Sequence, residues 1–223
     1  GLPEAALRTA VDAAYVHMGR LSDEMNRYDP NSRVSAINRA AGRRALRVSP
    51  DLMTVLQQAK ALSARTRGAF DITVGALSGW RFDPDNPRLP SADEVRAGVT
   101  NVGDRDLVLD PAQGTALLRR AGMRLDLGGI AKLYIVDAGL KVLRTQGVPR
   151  ALIDAGGDIG VFGGTAARPW HIGIRAPRGH GLYAHIALAQ GFVASSGDYE
   201  RSFVIGGRRY HHLLDPRTGY PVS

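Results

Sequence analysis

The run RYHHLLDPRTGYPVS, residues 209–223, sets two histidines side by side ahead of an Asp-Pro turn and a Thr-Gly turn. An imidazole that titrates near neutral pH suits a general base for a hydroxyl nucleophile. Adjacent strand residues point to opposite faces, so at most one of His211 and His212 faces a given pocket. His17 falls in a helical pattern, and His171, His180 and His185 lie in ordinary strand or loop contexts. A second constellation is LDLGGIAK, residues 125–132. Gly128 and Gly129 ahead of a helix can present bare N–H groups to a phosphate, with Lys132 adding a cation one turn in. A tight strand-to-helix turn with a surface lysine is the plainer alternative. Asp126 sits among apolar residues, where a carboxylate is costly unless paired or hydrogen-bonded, so a ligand contact and a cap both stay open. Asp71 in GAFDITVG poses the same question. Asp154 and Asp158 flank two glycines and read as turn formers, while Asp198 in SSGDYERS either orients a catalytic group or caps a turn.

The elements that must position these groups follow from periodicity. Leu7, Val11, Ala14, Tyr15, Met18, Leu21 and Met25 recur at helical steps across residues 4–27, after Pro3. The turn YDPNS follows, then a short segment VSAIN. Ser49-Pro50 starts a second helix, and Ser91 with Glu94 has the capping-box spacing that starts a third. From about residue 102, DLVLD, TALLR and MRLDL read as a meander. A further helix opens at Gly128-Gly129 and closes at Gly147, before Pro149. The last third is rich in strands and ends in a hairpin pattern around Gly206-Gly207. Helices mixed with antiparallel strands indicate an α+β protein. Residues 1–223 read as one domain, in which helix-plus-strands occurs twice, as a diverged internal duplication would give.

Composition narrows the functions. A chain of 223 residues, 44% hydrophobic, can bury a sizeable core. No apolar run is long enough for a membrane helix. Cysteine is absent, which excludes disulfides, thiol nucleophiles and thiolate metal sites within this sequence. The net charge is +8, but it comes from arginines scattered in ones and twos, with lysine only at Lys60, Lys132 and Lys141. A nucleic-acid binder normally concentrates such charge on one face, so no nucleic-acid partner is expected. Neither glycine-rich segment has the P-loop or dinucleotide spacing.

Six segments in order, NRYDPNSRVSAIN, GAFDITVG, LDLGGIAK, DAGGDI, SSGDYERSF and YHHLLDPRTGYP, resemble the FAD:protein FMN transferases, the ApbE family. They span residues 24–221. The resemblance implies an ApbE-like (T-fold-like) α+β fold of mixed and antiparallel sheets with packed helices. It implies a flavinyltransferase that binds FAD with Mg2+ and transfers FMN to a threonine hydroxyl of an acceptor flavoprotein, releasing AMP.

By that resemblance Tyr28 lies on the isoalloxazine, Ala69, Phe70 and Asp71 contact the flavin, and Asp126 and Lys132 contact FAD. His212 matches the base, Asp198 lies nearby, and the Gly129 carbonyl faces the metal. Ser35 and Asn38 match a motif whose role stays open. Three departures stand out: Leu133 replaces a usual glycine, and neither the family's N-terminal methionine-glycine-threonine strand nor its C-terminal metal-completing segment is expected in this sequence. The resemblance also places the protein on the periplasmic side of a bacterial inner membrane, lipid-anchored. A non-catalytic FAD-binding protein and a metal-dependent FAD pyrophosphatase are the alternative readings.

Overall fold

The computed structural model describes residues 2–176, 180–198 and 201–222, which fall into two compact units built from discontinuous segments. The first comprises residues 1–22 and 131–196. It contains α1 (Glu4–Met25) as far as residue 22, and α5 (Ala131–Thr145). Its core joins Ala10 and Ala14 of α1 to Val136, Leu140 and Leu143 of α5, with Val148 and Phe162. Gly139 allows that approach, because a Cβ there would run into the Met18 side chain and Ile153. The helix stops where the sequence says it should: Gly147 takes φ +79°, and the Val148 N–H reaches back to the Leu143 carbonyl. Strands β4 (Ala151–Asp154), β5 (Ile159–Phe162) and β8 (Gly191–Val193) form an antiparallel sheet in the order β4-β5-β8. Strands β6 (Trp170–Arg175) and β7 (Leu182–Leu188) make a separate antiparallel ribbon.

The second unit comprises residues 23–130 and 197–223. It holds α2 (Arg33–Ala40), α3 (Pro50–Arg65) and α4 (Ala92–Val99). Strands β1 (Leu46–Arg47), β2 (Leu107–Asp110) and β3 (Thr115–Leu118) form a sheet in the order β1-β3-β2. Helix α3 buries Leu52, Val55, Leu56 and Ala59 and packs on β2, while α2 buries Val34 and Ile37 and packs on β3. All three helix starts carry side-chain caps. Ser32 and Ser49 accept N–H bonds from Ser35 and Leu52, and Ser91 with Glu94 forms the reciprocal box that their spacing predicts. Strands β9 (Ser202–Ile205) and β10 (Arg208–His211) form a hairpin whose two loop residues, Gly206 and Gly207, both take positive φ, as a tight primed turn requires.

The mixture of helices with several small antiparallel sheets is the expected α+β architecture. Two local expectations change. The VSAIN segment is part of a capped helix, because Ser32 serves both the YDPNS turn and the N-terminus of α2. The segment MRLDL is not the third meander strand. Only Arg124 bridges, in parallel, to Val74, and β1 takes the third place in the sheet.

Candidate active site

Helix α2 positions one cluster in the second unit through two polar side chains. The Ser35 hydroxyl donates to the Arg27 carbonyl at 3.1 Å. The Asn38 amide receives the Leu125 N–H at 2.6 Å and returns a bond to the Leu125 carbonyl at 3.1 Å, imitating a strand partner. The two residues with no role assigned from sequence thus hold the chain beside Tyr28 and beside Asp126. The Asp126 N–H adds a 2.7 Å bond to the Ile72 carbonyl, which ties the LDLGG turn to the GAFDITVG segment.

Asp126 does not stand unpaired. Its Oδ1 accepts the Gly128 N–H at 2.9 Å, and its Oδ2 meets the Arg27 guanidinium at 3.0 Å. The same guanidinium lies 4.8 Å from the centre of the Tyr28 ring, which is 68% exposed. Arg27 is the site residue that sequence reasoning missed. It was visible only as the neighbour of Tyr28, and its link to Asp126 spans 99 positions (126 minus 27). Gly129 abuts Phe70: a Cβ on Gly129 would stand 3.1 Å from the ring edge, so a larger residue there would require the Phe70 ring to shift slightly.

The carboxylate of Asp71 is buried and already engaged. Its Oδ1 accepts the Thr73 N–H at 2.7 Å and the Thr73 hydroxyl at 2.6 Å, and its Oδ2 accepts the Asp104 N–H at 3.0 Å. The Thr73 oxygen in turn accepts the Gly103 N–H at 2.7 Å. Asp71 therefore holds two loops together, and Ala69 and Phe70 are carried on the segment it fixes.

The structure gives the two histidines different surroundings, with His211 ending β10 and His212 just beyond it. His211 is buried, with Nδ1 accepting the Leu213 N–H at 3.3 Å and Nε2 lying 2.8 Å from the Val222 carbonyl. Those contacts assign its proton to Nε2 and give it a structural role. His212 continues the hairpin ladder through its N–H to the Arg201 carbonyl, at 3.2 Å. Its Nδ1 is buried and has no hydrogen-bond partner among the described residues. Burial, reinforced by the Arg201 charge and by His211, holds this imidazole below the ordinary histidine value of 6.5, while the Arg201 carbonyl and Asp126 pull the other way. A neutral, under-bonded imidazole is the form able to accept a proton. Asp198 is exposed, and among the described residues no hydrogen bond joins it to His212.

The first unit holds Lys132 and the DAGGD loop. Lys132 Nζ pairs with Asp158 Oδ2 at 2.9 Å and lies 3.5 Å from the Gly156 carbonyl. Asp154 accepts the Gly157 N–H at 2.8 Å, the turn bond expected of it. Gly156 and Gly157 both take positive φ, which leaves their backbone without Cβ cover. Among the described residues, no three His, Asp, Glu or Cys side chains come together as a metal site. Nor is any helix of the described residues long and apolar enough to cross a membrane.

With this geometry in place, the ApbE family model matches residues 4–223. The chain belongs to the ApbE family. It is 37% identical over 195 residues to an FAD:protein FMN transferase of Klebsiella pneumoniae, a match covering 86% of this chain and 60% of that relative. Among solved structures, the ApbE protein of Thermotoga maritima superposes with a TM-score of 0.87 at 35% identity, covering 96% of this chain and 70% of the other. The apo flavinyl transferase ApbE of Pseudomonas stutzeri gives 0.82 at 30% identity, covering 100% and 69%. The ApbE fold expected from the six segments is therefore the fold observed, and this chain spans about two thirds of the length of those two solved ApbE chains.

Proposed function

We propose that this ApbE-family protein is an FAD:protein FMN transferase acting on a threonine hydroxyl of an acceptor flavoprotein. The observation that supports this most is His212, whose Nδ1 is buried and has no partner among the described residues, in a histidine pair whose other member is bonded at both ring nitrogens. In the proposed step the threonine oxygen attacks the flavin-side phosphorus of FAD while His212 takes the hydroxyl proton. A new O–P bond forms, the pyrophosphate P–O bond breaks, and AMP leaves with the electron pair. Tyr28, with Arg27 beside it, offers an exposed aromatic face for the flavin ring, Ala69, Phe70 and Asp126 line the adjoining segments, and Lys132 offers a cation to FAD. Asp198 keeps its proposed place near the base only as an implication of the resemblance.

Mg2+ dependence belongs to the same proposal, with Gly129 as the carbonyl donor. Magnesium sites normally use one or two carboxylates beside substrate phosphates, and among the described residues no three His, Asp, Glu or Cys side chains gather as a ready-made metal cluster. Adding EDTA tests the dependence: transfer should stop and return with excess Mg2+. A periplasmic, lipid-anchored location is also proposed, and cell fractionation checks it.

Two further outcomes follow. The rate should depend on pH through His212, whose neutral form is active. Because its pKa is lowered, the acid limb of kcat/KM should have its midpoint below the ordinary histidine value of 6.5. An acid-limb midpoint above 6.5 would contradict this assignment. Lys132→Met should weaken FAD binding by about tenfold, since a charge contact to phosphate is lost. In its pair with Asp158 the lysine side chain is 44% exposed, and such a pair contributes about 1 kcal/mol or less, so the melting temperature should hardly move. Product analysis separates transfer from its alternative: AMP should appear only when acceptor is present. Release of free FMN and AMP without acceptor would identify a pyrophosphatase instead.

A further inference from the structure

The segment between α3 and α4 carries a tryptophan that the flavin reading leaves unused. Trp80 stacks on Phe82 at 5.4 Å between ring centres, and Phe82 stacks on Phe203 of β9 at 5.9 Å. Phe203 stacks on Tyr210 of β10 at 5.5 Å, and Tyr210 returns to Trp80 at 5.7 Å, closing a ring of four aromatics. On its other side Trp80 meets the edge of Tyr220 at 5.8 Å, and its indole N–H donates to the Gly219 carbonyl at 2.9 Å.

These contacts bracket His212. Tyr210 of β10 lies two residues before it, and Gly219 and Tyr220 close the turn after it. The bracket is itself anchored. Arg81 and Arg88, flanking the 82–87 loop, exchange backbone bonds of 3.2 and 3.0 Å, and Arg88 pairs with Glu94, the capping-box residue of α4. Aromatic pairs of this geometry each add to stability beyond their buried area, so the hairpin end is held from outside its own ladder.

We propose that Trp80 is a positioning residue for His212. Through its contacts to Tyr210, Tyr220 and Gly219 it fixes the hairpin and the 215–220 turn so that the His212 ring stays dry and correctly aimed. This rests on His212 being the base of the transfer reaction, and the test separates the two ideas. Among the described residues, the charged and titratable groups acting on His212 are Arg201, His211 and Asp126, and none is altered by changing Trp80.

The His212 ring is titrated by NMR in the wild type, in Trp80→Leu and in Trp80→Phe, and transfer is measured separately. In Trp80→Leu, water reaches the ring and the titration midpoint should rise toward the ordinary value. Transfer kcat should fall at least about tenfold while the KM for FAD stays within about threefold, the pattern of a lost alignment rather than a lost binding contact. Trp80→Phe keeps the stack but loses the bond to Gly219, and should show the same changes in smaller measure. It carries the test if the leucine variant does not fold. An unchanged His212 titration in a folded variant overturns the proposal, as does loss of FAD binding in step with transfer. If the titration shifts but the wild type transfers no FMN, positioning by Trp80 stands and the assigned base role falls.

Discussion

In a His212→Ala protein, FMN transfer should fall by roughly 10²- to 10⁴-fold, the usual share of a general base. FAD affinity should stay within about threefold, because the imidazole is assigned to the attacking hydroxyl rather than to the bound flavin. The fold should tolerate the change. The His212 Nδ1 makes no hydrogen bond among the described residues, and the backbone bond to Arg201 is indifferent to the side chain. His211→Ala should behave in the opposite way. It removes the contacts to Leu213 and Val222 and should destabilise the protein by about 1–3 kcal/mol, with transfer lost only as far as the hairpin loosens. Stopped transfer assays beside FAD fluorescence titrations and thermal melts separate these outcomes. Equal loss of binding and transfer in His212→Ala would show that this histidine, too, is structural.

Asp71→Ala should have the largest effect on stability. The substitution strands three donors, the Thr73 N–H and hydroxyl and the Asp104 N–H, in a buried place. Each unsatisfied group costs roughly 1–3 kcal/mol, so the total should reach at least about 3 kcal/mol. For a protein of this size that lowers the melting temperature by roughly 6–12 °C. Asp71→Asn, which retains one acceptor oxygen, should fall between. FAD binding should weaken along with the fold, since the segment bearing Ala69 and Phe70 is what Asp71 holds in place. A fully stable Asp71→Ala protein that had lost only FAD affinity would instead assign the carboxylate directly to the ligand.

Much of this was legible locally. Ser49-Pro50, the Ser91/Glu94 box, Gly147 and the Gly206-Gly207 turn act within a few residues of themselves, so their sequence signals survive folding. Strand alternation, also a local rule, separated His211 from His212 only as facing different ways, and the base role of His212 came from the resemblance. What escaped is carried by partners far apart in the chain. Asn38 pairs with Leu125, Arg27 with Asp126, and Trp80 with the turn at Gly219. No periodicity announces such pairs. Helix α2 was missed because only Val34 and Ile37 mark its buried apolar face, while its start is disguised as a turn. The carboxylate of Asp71 could be recognised as needing partners, but not that a threonine two residues on and a loop thirty residues away would supply them.

The most direct measurement is the intact mass of a purified acceptor protein after incubation with this protein, FAD and Mg2+. The account predicts a mass increase equal to FMN less one water, one AMP released per adduct, and no adduct on an acceptor whose target threonine is replaced by valine. An acceptor of unchanged mass, with FAD bound but intact, would contradict it.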